Sequence, residues 1–112
     1  MKTQLIEKVL NECGFSLSVH RAHADEYKNK SIVIYTDDTN FINLIINPED
    51  YAFLKDYCSK KIYNSNLNEY PKEINEGKKP TNYGYKIVFD NSLSMKKFLS
   101  DYLKYKKSGL AE

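Results

Sequence analysis

Two segments of the chain carry their apolar residues on one stripe of a helix, and they predict the first and last helices. In the first segment this stripe consists of Leu5, Ile6, Val9, Leu10 and Cys13. In the last segment it consists of Met95, Phe98, Leu99, Tyr102 and Leu103. Such spacing places the side chains on one side of a helix with 3.6 residues per turn. Thr3 and Ser92 are suited to cap the two N-termini, and Gly14 to end the first helix.

Alternation of apolar and polar residues predicts four strands. Residues 15–20 alternate in this way, residues 31–36 are rich in β-branched side chains, and residues 41–46 follow a polar turn at 37–40. Side chains two apart share one face of a strand, so these patterns suit strands with one face on the core. The first three strands are consecutive and predict an antiparallel meander. Residues 85–90 predict the fourth strand.

A second helix is predicted to begin at Pro48. Asn47 is a good cap, Pro fits the first helical position, and Glu49 and Asp50 favour the positive end of the helix dipole. We expect this helix to run to about Lys61. Its inward stripe would contain Tyr51, Leu54, Cys58 and Ile62.

The segment at 63–84 has no sustained period and holds two of the three prolines, Pro71 and Pro80. A connection of this length is uncommon in a compact domain unless it is functional or poorly ordered. We predict a long loop at 63–84 and a flexible tail at 106–112, within a single domain spanning 1–112.

Together these elements predict an α+β fold in the order α-β-β-β-α-loop-β-α. Each helix has one apolar stripe, so the three helices are expected on one face of a mainly antiparallel four-stranded sheet, with the other face open to solvent. The opening order of helix, three strands and helix resembles the double-stranded-RNA-binding domain and is similar in topology to type III secretion chaperones. In the RNA-binding family lysines begin the second helix, whereas this chain has Glu49 and Asp50 there.

Charge is divided unevenly between the two halves of the chain. The net charge is +2, but residues 1–54 carry 5 basic and 8 acidic side chains, and residues 55–112 carry 12 and 7. This asymmetry favours a basic face in the second half. Nearly all basic residues are lysine, and Asn, Ile and Tyr are frequent, which suggests AT-rich codons and a bacterial or phage source.

No apolar run approaches the length of a membrane span, and the start leads into an amphipathic pattern rather than a signal sequence. We therefore expect a cytoplasmic protein with no membrane partner. Cys13 and Cys58 each lie beside apolar neighbours in a predicted helix, which favours buried, reduced thiols.

The sequence contains no motif that points clearly to catalysis. The four glycines are isolated, so no phosphate-binding loop is present. His20, His23 and Asp25 are close enough in sequence to suggest a metal-dependent hydrolase, which we keep as a second alternative. A surface role for the two histidines is favoured, and we predict no catalytic residue, metal or cofactor.

The strongest functional feature is a mixture of aromatic rings, amides and ammonium groups in the predicted loop. Its candidate binding residues are Tyr63, Asn64, Asn66, Tyr70, Lys72, Lys78, Lys79, Asn82 and Tyr83. The last helix adds Lys96, Lys97 and Lys104. Tyrosines can stack on bases while lysines contact the phosphate backbone, so the pattern predicts a non-catalytic module that binds nucleic acid.

Two other interpretations of the same residues remain open. The tyrosines are also suited to anchor a protein partner, as in an inhibitor, a chaperone or an accessory subunit. Alternatively, Tyr63, Tyr70, Tyr83 and Tyr85 fold back over the sheet and order the loop. The partner and the oligomeric state do not follow from the sequence.

Overall fold

A computed structural model describes residues 2–39, 41–74, 77 and 79–110. The helices are α1 (Lys2–Glu12), a 3₁₀ turn (Pro48–Asp50) that leads into α2 (Tyr51–Leu54), and α3 (Ser92–Leu110). The strands are β1 (Ser16–His20), β2 (Ala24–Asn29), β3 (Ile32–Asp37), β4 (Ile42–Ile46), β5 (Ser59–Tyr63), β6 (Lys72–Ile74) and β7 (Pro80–Phe89).

The strands form one antiparallel sheet, which confirms the α+β class. Strands β1 to β4 are consecutive neighbours, β4 pairs with β7, and β7 pairs with β5 at the end of the sheet. Strand β6 pairs with the first residues of β7. The sheet therefore has seven strands rather than the predicted four, and the predicted element order is wrong.

Strand β2 lies between the first two predicted strands, at residues for which no strand was predicted. It pairs with β3 over its whole length, with Tyr27 opposite Ile34 and Glu26 opposite Tyr35. Glu26 is buried, and the Tyr35 hydroxyl donates to its carboxylate. Because the buried position 26 holds a charged residue, β2 lacks the alternation of apolar and polar residues from which a strand is predicted. Because four strands separate α1 from α2, the resemblance to both families does not extend to the observed order.

The second helix is shorter than predicted. Asn47 caps it as expected, with its side-chain oxygen accepting from the Glu49 amide at 3.1 Å. The helix ends at Leu54, however, and residues predicted to continue it form β5. The stripe is also different, because Leu54 is buried while Tyr51 and Cys58 are exposed. Strand pairing with β7 overrides the local helical pattern here.

One face of the sheet carries the main hydrophobic core, and all three helices contribute to it. Its buried members include Val9, Leu10, Leu44, Leu54, Ile87 and Phe98. These residues come from α1, α2, α3 and the strands β4 and β7, so the helices lie on one face as predicted. Among the parts of the chain that are described, no helix has the length and apolar character needed to cross a membrane.

The opposite face of the sheet is covered by residues 64–71. Leu67 and Tyr70 are buried there against Tyr35 and Ile45, in a second, smaller core. The Tyr70 hydroxyl lies 2.7 Å from the Val33 carbonyl and 2.8 Å from the Ile45 carbonyl. The expectation that this face is open to solvent is therefore wrong, and the segment 63–84 contains β6 and the start of β7 rather than a continuous loop.

The covering segment crosses β7 from one edge to the other. The Asn64 amide donates to the Asn82 carbonyl, and the Tyr83 amide donates to the Pro71 carbonyl. These two groups of β7 belong to one trans peptide unit and point in opposite directions. At the crossing a Cβ added to Gly84 would lie 3.1 Å from the Tyr70 ring. The glycine therefore lets the ring approach the strand.

A buried carboxylate joins the 3₁₀ turn to α3. Asp50 is 4% exposed, and it accepts from the Tyr102 hydroxyl and from Lys106 Nζ at 3.2 Å. Burial opposes the charge of Lys106, but Asp50 and Glu49 outweigh it and raise the lysine pKa above its ordinary value. The residues 106–110, predicted to be part of a flexible tail, continue α3, and 111–112 lie outside the described residues.

Replacing Lys106 with alanine is expected to lower the free energy of unfolding by about 2 to 3 kcal/mol, because Asp50 loses its ammonium partner while remaining buried. Chemical denaturation followed by circular dichroism measures this difference. The matched control is Lys107→Ala, an exposed neighbour on the same helix, for which we expect a change within about 0.5 kcal/mol. Equal stability of the two variants would contradict the role assigned to this ion pair.

Candidate nucleic-acid interface

Four tyrosine rings form a continuous row on the sheet, which we call the tyrosine row. It contains Tyr51, Tyr85, Tyr83 and Tyr63, and the centroids of successive rings are 4.8, 6.4 and 6.1 Å apart. Tyr83 and Tyr85 share one face of β7 because they are two residues apart. Tyr63 lies opposite Tyr83 in the β5–β7 register, and Tyr51 reaches the row from α2.

The row continues the face of β7 that carries the main core. Ile87 and Phe89, further along the strand, are buried in that core. Tyr83 and Tyr85 are only partly buried, and Tyr51 is 48% exposed. The same alternation thus places apolar residues in the core and aromatic residues with polar hydroxyls on the partly exposed surface.

Charged groups from β5 and β6 meet at the end of the row that contains Tyr83 and Tyr63. Lys61 Nζ lies 5.1 Å from the centroid of the Tyr83 ring and donates to Glu73 Oε2 at 2.8 Å. The Tyr63 hydroxyl donates to the same oxygen at 2.5 Å. The hydrogen bond from Lys61, followed by that from Tyr63, lowers the pKa of the Glu73 carboxyl, and bonding to Glu73 raises the pKa of both donors.

The predicted lysines are distributed around the molecule rather than gathered at one place. Lys72 and Lys79 are exposed, and neither has an ion-pair partner among the residues described. On α3, Lys96 lies 3.3 Å from Glu12, and Lys97 lies 3.5 Å from Asp101. The remaining two are Lys104, which is exposed on α3, and Lys78, which lies outside the described residues.

The predicted amides and Tyr70 take part in hydrogen bonds within the crossing segment and between this segment and β7. Asn64 accepts through its side chain from the Asn66 amide at 2.9 Å. Asn82 is 5% exposed and donates to the Tyr70 carbonyl at 2.8 Å. Tyr70 is itself 3% exposed. The interpretation that tyrosines fold back over the sheet is therefore correct for Tyr70, whereas Tyr63 and Tyr83 are partly exposed in the tyrosine row.

The candidate binding residues predicted from the sequence did not include four residues of this surface, namely Tyr51, Lys61, Glu73 and Tyr85. The prediction placed Tyr51 and Lys61 in one long helix. The observed helix ends at Leu54, and Lys61 lies in β5. A β-branched residue followed by an aromatic one, Ile62 and Tyr63, was the available signal for β5. Nothing local in the sequence pairs Glu73 with Lys61, because their approach depends on both strands flanking β7.

The histidines do not assemble the metal site considered above. His20 Nδ1 pairs with Asp25 at 2.5 Å, whereas His23 Nδ1 lies 3.3 Å from Asp38. Within the described ranges, no three His, Cys, Asp or Glu side chains are grouped so as to hold a metal ion. The geometry therefore gives no support to the metal-dependent hydrolase hypothesis.

No protein-family model matches the sequence, and no curated protein matches it.

Proposed function

We propose that this protein binds single-stranded nucleic acid along the tyrosine row. The observation that carries the proposal is the continuous row of four partly exposed rings on the sheet. Bases stack on aromatic side chains with little sequence preference, and each stack contributes about 1–3 kcal/mol. A sheet surface with aromatic side chains is one established way to present such a platform.

A single strand suits this surface better than a duplex. The rings lie along a sheet and are partly buried, so a base can stack on them only if its own flat face is exposed. In a duplex that face is covered by the neighbouring bases, whereas in a single strand it can turn outward. Lys55, in the turn before β5, and Lys79, just before β7, supply exposed ammonium groups. The strand register places Lys60 and Lys72 on the face of the sheet opposite the row. Lysine contacts with phosphate release counterions and stabilise binding without reading sequence.

A protein partner is the second candidate, and it is favoured by a different observation. Strand β5 is the last strand in the sheet order, so one of its edges has no neighbouring strand among the described residues. Another chain can pair with such an edge through backbone hydrogen bonds. Tyr63 and Tyr51 would then anchor the partner's side chains. This binding mode predicts weak dependence on salt.

The test is binding of a fluorescently labelled oligothymidine of about 12 nucleotides, a length within the usual range of single-strand sites. We expect the double variant Tyr51→Ala, Tyr63→Ala to weaken binding by about 30-fold or more, because two stacks are lost. Fluorescence anisotropy at several salt concentrations measures both the affinity and its salt dependence.

Tyr105→Ala provides the matched control. Tyr105 is a 37% exposed tyrosine on α3, and its ring contacts Phe53 instead of the row. We expect its affinity to equal that of the wild type. Undetectable binding by the wild type, or binding that is unaffected by salt, would exclude the nucleic-acid proposal and leave the protein partner as the candidate.

A further inference from the structure

The bridge above the tyrosine row has the chemistry of a filled anion site. Two donors from β5, the Lys61 ammonium and the Tyr63 hydroxyl, converge on a single carboxylate oxygen of Glu73. Convergent, charge-assisted donors of this kind also bind phosphate oxygens. The carboxylate thus occupies a position that an oxygen of a nucleic-acid backbone is equally suited to take.

The bridge is also accessible and exchangeable. The side chains of Lys61 and Glu73 are 37% and 34% exposed. Ion pairs with this degree of exposure stabilise a fold only slightly, because water screens them. Glu73 can therefore leave its partners by a side-chain rotation while β6 keeps its pairing with β7. The exchange replaces one anion by another and leaves Lys61 with a partner throughout.

We propose that Lys61 and Tyr63 form a phosphate subsite of the tyrosine row, and that Glu73 is an internal anion which competes with the phosphate for it. This inference rests on the proposed function, since the phosphate belongs to the strand whose bases stack on the row. The subsite lies at the end of the row that contains Tyr83 and Tyr63, because Lys61 Nζ is above the Tyr83 ring and Tyr63 is the next ring along. Glu73 thereby lowers the affinity of the row for nucleic acid and keeps weakly binding anions out of the subsite.

The decisive variant is Glu73→Gln, which keeps the shape of the side chain and removes its charge. We expect it to bind oligothymidine about fivefold more tightly at low salt, the size of one unit-charge repulsion at contact distance in water. The slope of log affinity against log salt should steepen by about 0.7, the value for one additional phosphate contact on a single strand. Adding Lys61→Ala to this variant is expected to abolish both gains.

Glu69→Gln is the matched control, because Glu69 is an exposed glutamate in the crossing segment and its removal changes the net charge equally. An equal gain in both variants would mean that only net charge matters, and it would overturn the inference. No gain in Glu73→Gln would overturn it as well.

A second measurement separates this inference from the proposed function. Inorganic phosphate is titrated into Glu73→Gln, and NMR follows the side-chain signals of Lys61 and Tyr63. Shifts confined to these residues support the anion subsite even if no oligonucleotide binds, in which case the nucleic-acid proposal alone fails. Wild-type binding of oligothymidine without such shifts would refute the subsite alone.

Discussion

At a pH of about 11 the protein is expected to have lost about 5 kcal/mol of its folding free energy relative to neutral pH. Four buried tyrosines, each at most 3% exposed, cause this loss: Tyr27, Tyr35, Tyr70 and Tyr102. Burial raises the pKa of Tyr27 and of Tyr35 to about 12. It also raises the pKa of Tyr70 well above its ordinary value, and for Tyr102 burial and then the Asp50 carboxylate act together.

The sign follows from which state releases its protons first. In the unfolded chain these hydroxyls ionise near the ordinary pKa of 10, whereas the folded protein keeps them protonated. Stability is therefore complete below pH 10 and is lost as the pH rises above it. Each tyrosine contributes about 1.4 kcal/mol at one pH unit above its ordinary pKa. The total approaches the whole stability of a typical small domain.

The measurement is a pH titration in which circular dichroism and the ultraviolet absorbance of tyrosinate are recorded together. We expect the buried tyrosines to ionise in the same cooperative step in which the helices and strands are lost. The free energy of unfolding of Tyr70→Phe should fall less steeply with pH than that of the wild type at the same denaturant concentration. The difference in slope should correspond to about one proton, because the variant has one buried hydroxyl fewer to ionise on unfolding. Ionisation of all the tyrosines while the fold remains intact would contradict the argument.

The second large effect is expected from Tyr70→Ala, which should destabilise the protein by about 3 to 5 kcal/mol. The ring packs edge-on against Tyr35 at 4.9 Å, and its hydroxyl bonds the Val33 and Ile45 carbonyls. Truncation leaves a cavity beneath the crossing segment and removes the donor from two carbonyls. Urea unfolding followed by circular dichroism gives the change in free energy.

Two companion variants separate the contributions to this effect. Tyr70→Phe keeps the ring and removes only the hydroxyl, so we expect a loss of about 1 to 3 kcal/mol. Tyr51→Ala truncates a tyrosine that is 48% exposed, and its cost is expected to stay below about 1 kcal/mol. Should Tyr70→Ala cost no more than Tyr51→Ala, the second core would not contribute to stability as its burial implies.

Local patterns predicted the parts of the fold in which one element alone carries the signal. Most residues of the two helical stripes, among them Val9, Leu10, Phe98 and Leu99, are buried as expected, although Leu5 is 45% exposed. The cap at Asn47 is present. These features depend on residues within a few positions of one another. Their physical causes, helical periodicity and satisfaction of the first free amides, are therefore readable from the sequence.

The missed strands needed information from distant residues. Glu26 is acceptable in a buried position of β2 because Tyr35, on the next strand, bonds its carboxylate. Residues of β5 continue an acceptable helical pattern, and they become a strand because β7 offers a pairing edge. Neither partner is visible within the local window from which a pattern is judged.

The candidate site was predicted in part for the same reason. Composition identified the tyrosine-rich segment and placed Tyr63 and Tyr83 in it, and both belong to the tyrosine row. It assigned the same role to Tyr70, which is buried against the opposite face of the sheet. Composition counts aromatic residues, but the face on which each one lies depends on strand register and on where the chain crosses β7.

By itself the sequence determined the class of fold, the first and last helices, the cap of the second helix and the aromatic character of the segment at 63–84. The tertiary structure alone decided the number of strands, the covering of the second face and the grouping of Lys61, Tyr63 and Glu73. Helical stripes and caps arise from neighbours in the chain, whereas strand pairing and the crossing over Gly84 join residues far apart in sequence. Such pairings become favourable only when the whole chain is folded.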